Sequence, residues 1–194
     1  MTCKLGRVII VTGTPGTGKT TLASVLAKVI GADNINLTQY VSRHKLYSGI
    51  DGQRGTKIID MAKTRTRLKK ELGAMSALVL DTHIPDEIVA KAMVRRVFVL
   101  RCHPRILEDR LRAKKWRADK VRENVLAEIV DSCLNDAVKH YGWRKVIQFD
   151  TSRVNIQNCI VLAKRSLLGR PVRRIKIDWL AELEKEGLLD RYLK

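Results

Sequence analysis

The sequence has no apolar run long enough to cross a membrane and no closely spaced cysteine pair. A membrane-spanning helix needs roughly 18 consecutive apolar residues, so we expect no membrane partner. The four cysteines are far apart and form no C-x-x-C pair, which disfavours a structural zinc site and a secreted disulfide framework. A predicted strand begins close to the N-terminus and leaves little room for a signal peptide. These absences favour a cytoplasmic protein with reduced thiols.

Acidic residues are scarce relative to basic ones. Thirty-eight Lys and Arg stand against twenty Asp and Glu, which gives a formal net charge of +18. An active site for nucleotides uses only a few cations, so an excess this large indicates a polyanionic partner, most simply RNA. A solvated surface in a chain adapted to heat or to an unusual cytoplasm is the alternative explanation.

Apolar runs bounded by turn residues recur along the 194-residue chain and alternate with helical patterns. Because this alternation is typical of a parallel sheet covered on both faces, we predict an α/β fold with five parallel strands. The predicted strands lie at residues 8–11, 35–37, 77–81, 97–100 and 145–149. The predicted helices lie at residues 22–30, 57–72, 85–93, 104–111, 119–138 and 154–168. Beyond them, an amphipathic helix around Trp179 either packs on this domain or carries a partner contact.

A complete G-x-x-x-x-G-K-[ST] motif follows the first predicted strand and precedes the first predicted helix. Its glycines let backbone amides approach phosphates, and the helix N-terminus adds partial positive charge. Within it, Lys19 is placed to neutralise the β- and γ-phosphates, and Thr20 to offer its hydroxyl to Mg²⁺. An ordinary glycine turn is the alternative. The complete motif in this context predicts binding of a nucleoside triphosphate by Gly13, Pro15, Gly16, Thr17, Gly18, Lys19, Thr20 and Thr21.

The run Leu78–Asp81 is a buried strand that ends in a carboxylate. Asp81 can hold Mg²⁺, usually through water, opposite Thr20. His83 follows two residues later and in an extended chain points to the same side as Asp81. A neutral histidine there can orient water or a substrate hydroxyl. The alternatives are a strand that ends in Asp for other reasons and a structural histidine.

Several motifs together resemble the adenylate kinase 6 family, whose members are small nucleoside monophosphate kinase-like ATPases of archaea and eukaryotes implicated in small ribosomal subunit maturation. The resemblance rests on the glycine-rich loop, the triplet Asp81-Thr82-His83 and the strand Val97–Arg101. In addition, Leu46–Asp51 resembles the family's Y-x-G-x-D stretch, and Asn124, Glu128 and Ile129 match its N-x-x-x-E-I helix. It covers roughly residues 7–165.

The resemblance implies a P-loop NTPase fold, nucleoside monophosphate kinase-like, with a short lid. Residues 1–168 would form the kinase domain, with a monophosphate-binding insertion at about 36–60 and a lid at about 113–122, and residues 169–194 a basic extension. The implied activity is the conversion of ATP and AMP to two ADP, alongside ATP hydrolysis, with Mg²⁺. The implied partners are a small-subunit ribosomal protein, rRNA or both. The protein itself would be a monomer or part of a transient complex.

The resemblance also implies roles for basic residues. Arg153 matches a position near the adenine, and the lid residues Arg110, Lys114 and Arg117 would compensate charge on the transferred group. The family lid commonly reads Arg-Gly-aromatic, whereas this chain reads Lys114-Lys115-Trp116. A lysine supplies charge without the planar fork of arginine. The insertion departs too, because residues 52–55 (Gly-Gln-Arg-Gly) replace the acids common in the family.

Two functions of different classes therefore follow from the sequence. The first is in-line phosphoryl transfer, in which positioning and charge neutralisation by the protein dominate. The second is an ATP-dependent ribosome-assembly switch with negligible monophosphate kinase activity. A kinase for a small metabolite such as shikimate or gluconate shares the loop and sheet, but the D-x-H triplet disfavours it. No N-K-x-D tetrapeptide occurs, which disfavours a GTPase.

Overall fold

The computed structural model describes residues 6–52, 56–83 and 88–193. The strands are β1 (Val8–Gly13), β2 (Asp33–Asn36), β3 (Tyr47–Asp51), β4 (Thr56–Ile59), β5 (Leu78–Asp81), β6 (Val94–Arg101) and β7 (Val146–Asp150). Five of them form a parallel sheet in the order β2-β5-β1-β6-β7, which confirms the predicted sheet. The other two, β3 and β4, form an antiparallel hairpin.

Helices cover both faces of the sheet, as predicted. They are α1 (Lys19–Ile30), α2 (Leu37–Arg43), α3 (Met61–Leu72), α4 (Pro104–Ala113), α5 (Ala118–Ile129), α6 (Ser132–Tyr141), α7 (Ile156–Leu167), α8 (Trp179–Lys185) and α9 (Leu189–Leu193). Side chains alternate between faces along a strand: Val8 and Ile10 pack with α2, α3 and α6, whereas Ile9 and Val11 pack with α1 and α7. No helix in the described ranges is both long and apolar enough to cross a bilayer.

A third apolar cluster joins the last two helices to α4 and α5. Its buried members are Cys102, Leu107, Leu111, Val121, Val125, Ile129, Leu183 and Tyr192. The side chain of Trp179, at the start of α8, is also buried. Of the two possibilities that the sequence left for this segment, the structure has it packed on the domain.

The helix predicted over residues 57–72 begins later than expected. Residues 56–59 are strand β4, and α3 starts at Met61. Asp60 sets this boundary, because its Oδ1 accepts a hydrogen bond from the Lys63 amide at 3.0 Å and so caps the helix. The β-branched Ile58 and Ile59 pair with β3 instead. Likewise Leu37, predicted in a strand, begins α2 because Asn36 caps it.

The single helix predicted over residues 119–138 is two helices. Helix α5 ends at Ile129 and α6 begins at Ser132, with Asp131 in the left-handed region at φ 58°. The buried Arg101 guanidinium lies at the break, where its Nη2 donates to the Glu128 carbonyl at 3.1 Å and to the Asp131 carboxylate. Apolar spacing continues across the break, so the sequence pattern did not reveal it.

The helix predicted over residues 85–93 is wrong in its described part. Residues 85–87 lie outside the described residues, residues 88–90 are irregular, and Lys91–Met93 forms one 3-10 turn. Ile88 and Val89 are nevertheless buried in the core, and the Tyr141 hydroxyl donates to the Val89 carbonyl at 3.3 Å. Tertiary contacts therefore bury this apolar pair without a helix.

Candidate active site

The glycine-rich loop lies at the carboxyl end of β1, the central strand of the sheet. Gly13 has φ 139°, and a Cβ there would lie 2.3 Å from the Leu100 carbonyl oxygen, so no side chain fits. Gly16 has φ 94°, and its Cβ would meet the side chain of Leu107 at 2.9 Å. The N-cap of α1 is Gly18, and no described side chain caps this helix start. Its first amides are thus left for an anion.

Lys19 extends from the first turn of α1 back over the loop. Its Nζ donates to the Thr14 carbonyl at 3.1 Å. Burial lowers the pKa of Lys19, and the nearby positive charge of Lys114 lowers it further, whereas Asp81 opposes the shift. The ammonium group therefore lies in a desolvated position where a phosphate would supply the missing negative charge.

Thr20 and Asp81, the two residues expected from the sequence to hold Mg²⁺, contact each other at the edge of the loop. The Thr20 hydroxyl donates to Asp81 Oδ2 at 2.7 Å, and Asn36 Nδ2 donates to the same oxygen at 2.6 Å. Strands β2 and β5 are neighbours, and Asn36 pairs in register with Asp81. A hydroxyl and a buried carboxylate are ligands that suit Mg²⁺. Sequence reasoning missed Asn36, although a polar residue at the carboxyl end of a parallel strand was a usable signal.

His83 follows β5 and lies at the surface beside this site. Desolvation by neighbouring protein atoms lowers the pKa of His83, the positive charge of Lys19 adds to this effect, and Asp81 partly opposes it. The imidazole is therefore neutral at pH 7. Sequence reasoning also missed Cys133, whose Sγ lies 3.8 Å from the His83 carbonyl oxygen. Burial raises the pKa of this thiol to about 11, so it is protonated at neutral pH.

A cavity of about 320 Å³ continues from the loop towards the segment that follows β7. Gly16, Thr17, Gly18 and Thr21 line one side and Arg110 lines another. The Arg110 Nη2 donates to the Thr151 carbonyl at 2.8 Å, which fixes the wall of the cavity. Its volume lies within the range of small-ligand pockets and suits the nucleoside of a bound nucleotide.

The other predicted basic residues do not line this cavity. Lys114 ends α4 and is exposed. Arg117 is 82% exposed and pairs with Asp119, with 3.0 Å between Nη2 and Oδ2. Arg153 pairs with Glu182 and Asp150. Pro15 is half-buried in the loop.

A buried carboxylate that sequence reasoning did not assign to the site connects the loop to the rest of the molecule. Glu128 is 2% exposed. Its Oε2 accepts a hydrogen bond from the Thr14 hydroxyl. Its Oε1 accepts from Arg101 Nε at 2.7 Å, from the Cys102 amide at 3.1 Å and from Trp179 Nε1 at 3.0 Å. The Arg101 guanidinium compensates its charge, as a buried carboxylate requires.

A second group of side chains carries donor atoms of the types that bind metals. Donor atoms of His103, Glu182 and Glu186 all lie within 4.8 Å of one another. The closest approach is 3.2 Å, between His103 Nε2 and Glu186 Oε2. Arg153 pairs with Glu182 here and already compensates part of the negative charge.

Comparison with known sequences gives consistent matches over most of the chain. The profile of the family described as "AAA domain" matches residues 9–131. A "Putative adenylate kinase" of Methanocaldococcus jannaschii is 31% identical over 176 residues, which cover 88% of this chain and 92% of that protein. The protein of the same description from Pyrococcus abyssi is 36% identical over 173 residues, covering 89% and 91%.

Comparison with solved structures shows the same fold in P-loop kinases. A shikimate kinase from Acinetobacter baumannii in complex with shikimate has a TM-score of 0.58 at 17% identity, covering 87% of this chain and 96% of that one. A deoxyadenosine kinase from M. mycoides with bound dATP has a TM-score of 0.52 at 13% identity, covering 83% and 99%. At these identities the likeness concerns the fold.

Proposed function

This chain belongs to the adenylate kinase 6-like family, and on that premise we propose that it transfers the γ-phosphoryl group of Mg²⁺-ATP to AMP and also hydrolyses ATP. It is a nucleoside monophosphate kinase-like P-loop enzyme by family and by fold. One observation carries the proposal: the glycine-rich loop, Lys19 and the Thr20–Asp81 pair converge at the carboxyl edge of the sheet.

In the proposed reaction the protein positions the reactants and neutralises charge. The loop amides and Lys19 would bind the β- and γ-phosphates, and the Lys19 ammonium would exchange the Thr14 carbonyl for a phosphate oxygen. Thr20 and Asp81 would hold Mg²⁺, which compensates phosphate charge when bound. The nucleoside of ATP would occupy the cavity bounded by Arg110.

The acceptor side of the site would rely on His83 and the short lid. Because the pKa of His83 is lowered, the neutral imidazole is available to orient the AMP phosphate or an attacking water. Arg117 would leave Asp119 and, together with Lys114, approach the transferred group as the lid closes over it. An arginine there supplies a bidentate fork that a lysine lacks.

The site is tested by Lys19→Ala with Lys28→Ala as the matched control. Lys28 lies in the last turn of the same helix and is exposed. We expect Lys19→Ala to lower ADP formation at least about 100-fold, because it removes a cation that stabilises the transferred phosphate. Lys28→Ala should leave the rate within about twofold of the unmodified protein. A near-normal rate in Lys19→Ala would refute the assignment.

A second function, an ATP-dependent switch in small ribosomal subunit maturation, is favoured by the charge of the surface. The net charge is +18, and exposed positions of α3 carry Lys63, Arg65, Arg67, Lys69 and Lys70. Such a surface suits rRNA, or a ribosomal protein that contacts RNA, as its partner. The same proposal places the protein in the cytoplasm, as a monomer or in a transient complex.

This second function is tested by ATP hydrolysis without AMP, in the presence of a small-subunit rRNA fragment. We expect the fragment to raise the hydrolysis rate at low salt and to lose its effect as salt rises, because basic residues release counterions when they bind phosphates. Duplex DNA of equal length is the control for charge alone. An unchanged rate with rRNA would argue for the kinase by itself.

A further inference from the structure

Helix α8, in the C-terminal segment, is connected to the phosphate-binding loop by hydrogen bonds to one buried carboxylate. Trp179 Nε1 donates to Glu128 Oε1 at 3.0 Å, and the other oxygen of Glu128 accepts from the Thr14 hydroxyl. We propose that Trp179 is a positioning residue: the docked α8 holds Glu128, and through it the loop, in the geometry that binds triphosphate. This inference rests on the proposed function only in taking ATP as the ligand of the loop.

The terminal end of this connection is fixed by burial and capping. Trp179 is 1% exposed, and its ring packs edge-on against His103 with 5.4 Å between centroids. The Arg101 guanidinium carbon lies 5.8 Å from the indole ring. Asp178 caps α8, since its Oδ1 accepts from the Ala181 amide at 3.1 Å. The indole N–H is thereby aimed at one acceptor.

Glu128 is held by four donors that come from three different parts of the fold. The Arg101 side chain and the Cys102 amide come from β6 and the residue after it, the Thr14 hydroxyl from the loop, and the indole from α8. A buried carboxylate that loses a donor must rotate or admit water, because an unsatisfied charged acceptor is costly in the interior. Loss of the indole donor would therefore release the carboxylate that Thr14 contacts.

The loop end of the connection includes the catalytic lysine. The Thr14 carbonyl accepts from Lys19 Nζ at 3.1 Å and from Thr17 Oγ1 at 2.8 Å. A shift of Thr14 would thus move the acceptor that holds the Lys19 ammonium until a phosphate oxygen replaces it, and would change the curvature of the loop. Because linkage is reciprocal, bound ATP should in turn favour the docked position of α8.

The variant Trp179→Phe tests this inference, since phenylalanine keeps an apolar ring but lacks the N–H donor. We expect its dissociation constant for Mg²⁺-ATP, measured by calorimetry on the full chain, to rise at least about fivefold, the order of one lost hydrogen bond. The KM for ATP should rise in parallel while kcat stays within about twofold, because the loop would bind ATP less well in the ground state. A merely structural defect would instead lower the active fraction without changing the dissociation constant.

Tyr192→Phe is the matched control. Tyr192 lies in the third apolar cluster, and its hydroxyl donates to another buried carboxylate, Glu108, at 3.1 Å. Removing the Tyr192 hydroxyl deletes a hydrogen bond to a buried carboxylate in the C-terminal segment, as Trp179→Phe does. It leaves the contact between Glu128 and Thr14 intact. ATP affinity in this variant should stay within about twofold of the unmodified protein. If ATP affinity fell equally in both variants, Trp179 would only stabilise the C-terminal segment in general, and the inference would be overturned.

A double-mutant cycle tests whether Trp179 affects ATP binding through Glu128 and Thr14. Thr14→Val removes the hydroxyl that contacts Glu128 and keeps the side-chain shape. In that background Trp179→Phe should change ATP affinity by less than about twofold, because the connection is already broken. The same loss in both backgrounds would show that Trp179 does not act through Glu128 and Thr14.

Hydrogen exchange in the unmodified protein gives a test that needs no variant to fold. Saturating Mg²⁺-ATP should slow amide exchange in α8 relative to the outer helix α3. Unchanged exchange in α8 at saturation would overturn the inference while leaving ATP binding established. Failure of the unmodified chain to bind ATP would refute the proposed function itself.

Discussion

At the scale of single residues, the oxygen Oδ2 of Asp81 receives hydrogen bonds from the ends of two different elements, Asn36 and Thr20. Asn36 also caps α2, since its Oδ1 accepts a hydrogen bond from the Gln39 amide at 3.1 Å. Its amide orientation is thus set by both partners, and it turns the carboxylate towards Thr20. Groups that orient a metal ligand commonly contribute to metal affinity.

We predict that Asn36→Ser weakens the use of Mg²⁺. Serine preserves the helix cap but is too short to reach Asp81 with a donor. The Mg²⁺ concentration for half-maximal ADP formation should rise about tenfold, the low end for loss of a residue that orients a metal ligand. The melting temperature should change little. Titration of activity with Mg²⁺ checks this, and an unchanged midpoint would contradict the role given to Asn36.

The pKa of His83 predicts the acid limb of the pH profile. Because desolvation by neighbouring protein atoms and the charge of Lys19 lower this pKa below the ordinary 6.5, His83 is predominantly neutral at pH 7 and becomes charged as the pH falls through the lowered value. ADP formation should therefore be constant from pH 8 down to about 6.5 and decline at lower pH. His83→Asn should have a lower rate and lack that limb. An acid limb retained in His83→Asn would assign it to another group.

The sequence predicted part of the site residue by residue. Lys19 and Thr20 belong to one local motif, whereas Asp81 joins them because β5 pairs in parallel with β1 and both strands end at the same edge of the sheet. Asn36 joins the site through the pairing of β2 with β5, and Glu128 joins it from α5 by a hydrogen bond with Thr14. The polar residue at the end of β2 was a usable signal for Asn36, but no local pattern indicates that the Glu128 carboxylate contacts Thr14.

At the scale of elements, the segment expected from about 113 to 122 as a lid contains a four-residue turn between α4 and α5, and its second half belongs to α5. Lys115 has φ 57°, and its amide donates to the Arg112 carbonyl at 2.8 Å, a left-handed helix end that favours glycine. Strain from a side chain at such a position is of order 1 kcal/mol.

We predict that Lys115→Gly stabilises the protein. Relief of the left-handed strain should outweigh the extra entropy of glycine in the unfolded chain and raise the melting temperature by about 1–3 °C for a chain of this size. Lys114→Gly is the matched control, because Lys114 has φ −83° and gains nothing from glycine. Calorimetry of both variants checks this, and equal melting temperatures would contradict the strain.

Elements with continuous apolar runs could be predicted from the sequence. Helix ends that are set by a capping side chain or by a contact with a distant residue could not. Strands β1, β5, β6 and β7 were placed from their sequences because both faces of the sheet are buried. The break between α5 and α6 depends on Arg101, nearly thirty residues earlier in the chain. The start of α3 depends on one capping side chain, Asp60. Apolar spacing reports neither cause.

At the scale of the whole molecule, the terminal helices, the sheet and the phosphate loop form one packed unit around the third apolar cluster and Glu128. The amphipathic pattern around Trp179 predicted a helix but not its docking site, because amphipathicity does not identify the surface that covers the apolar face. In the strand order, β1 lies between β5 and β6. The loop after β1 is therefore central, and the ends of β5 and β6 lie on either side of it.

The decisive measurement on the whole molecule is ADP formation from Mg²⁺-ATP by the full chain, with and without AMP, with all three nucleotides quantified. Phosphoryl transfer to AMP predicts rapid, AMP-dependent ADP formation in which two ADP appear for each AMP consumed, with little release of inorganic phosphate. Slow ADP formation that is indifferent to AMP and matched by phosphate release would contradict the kinase and leave the ATP-dependent switch in its place.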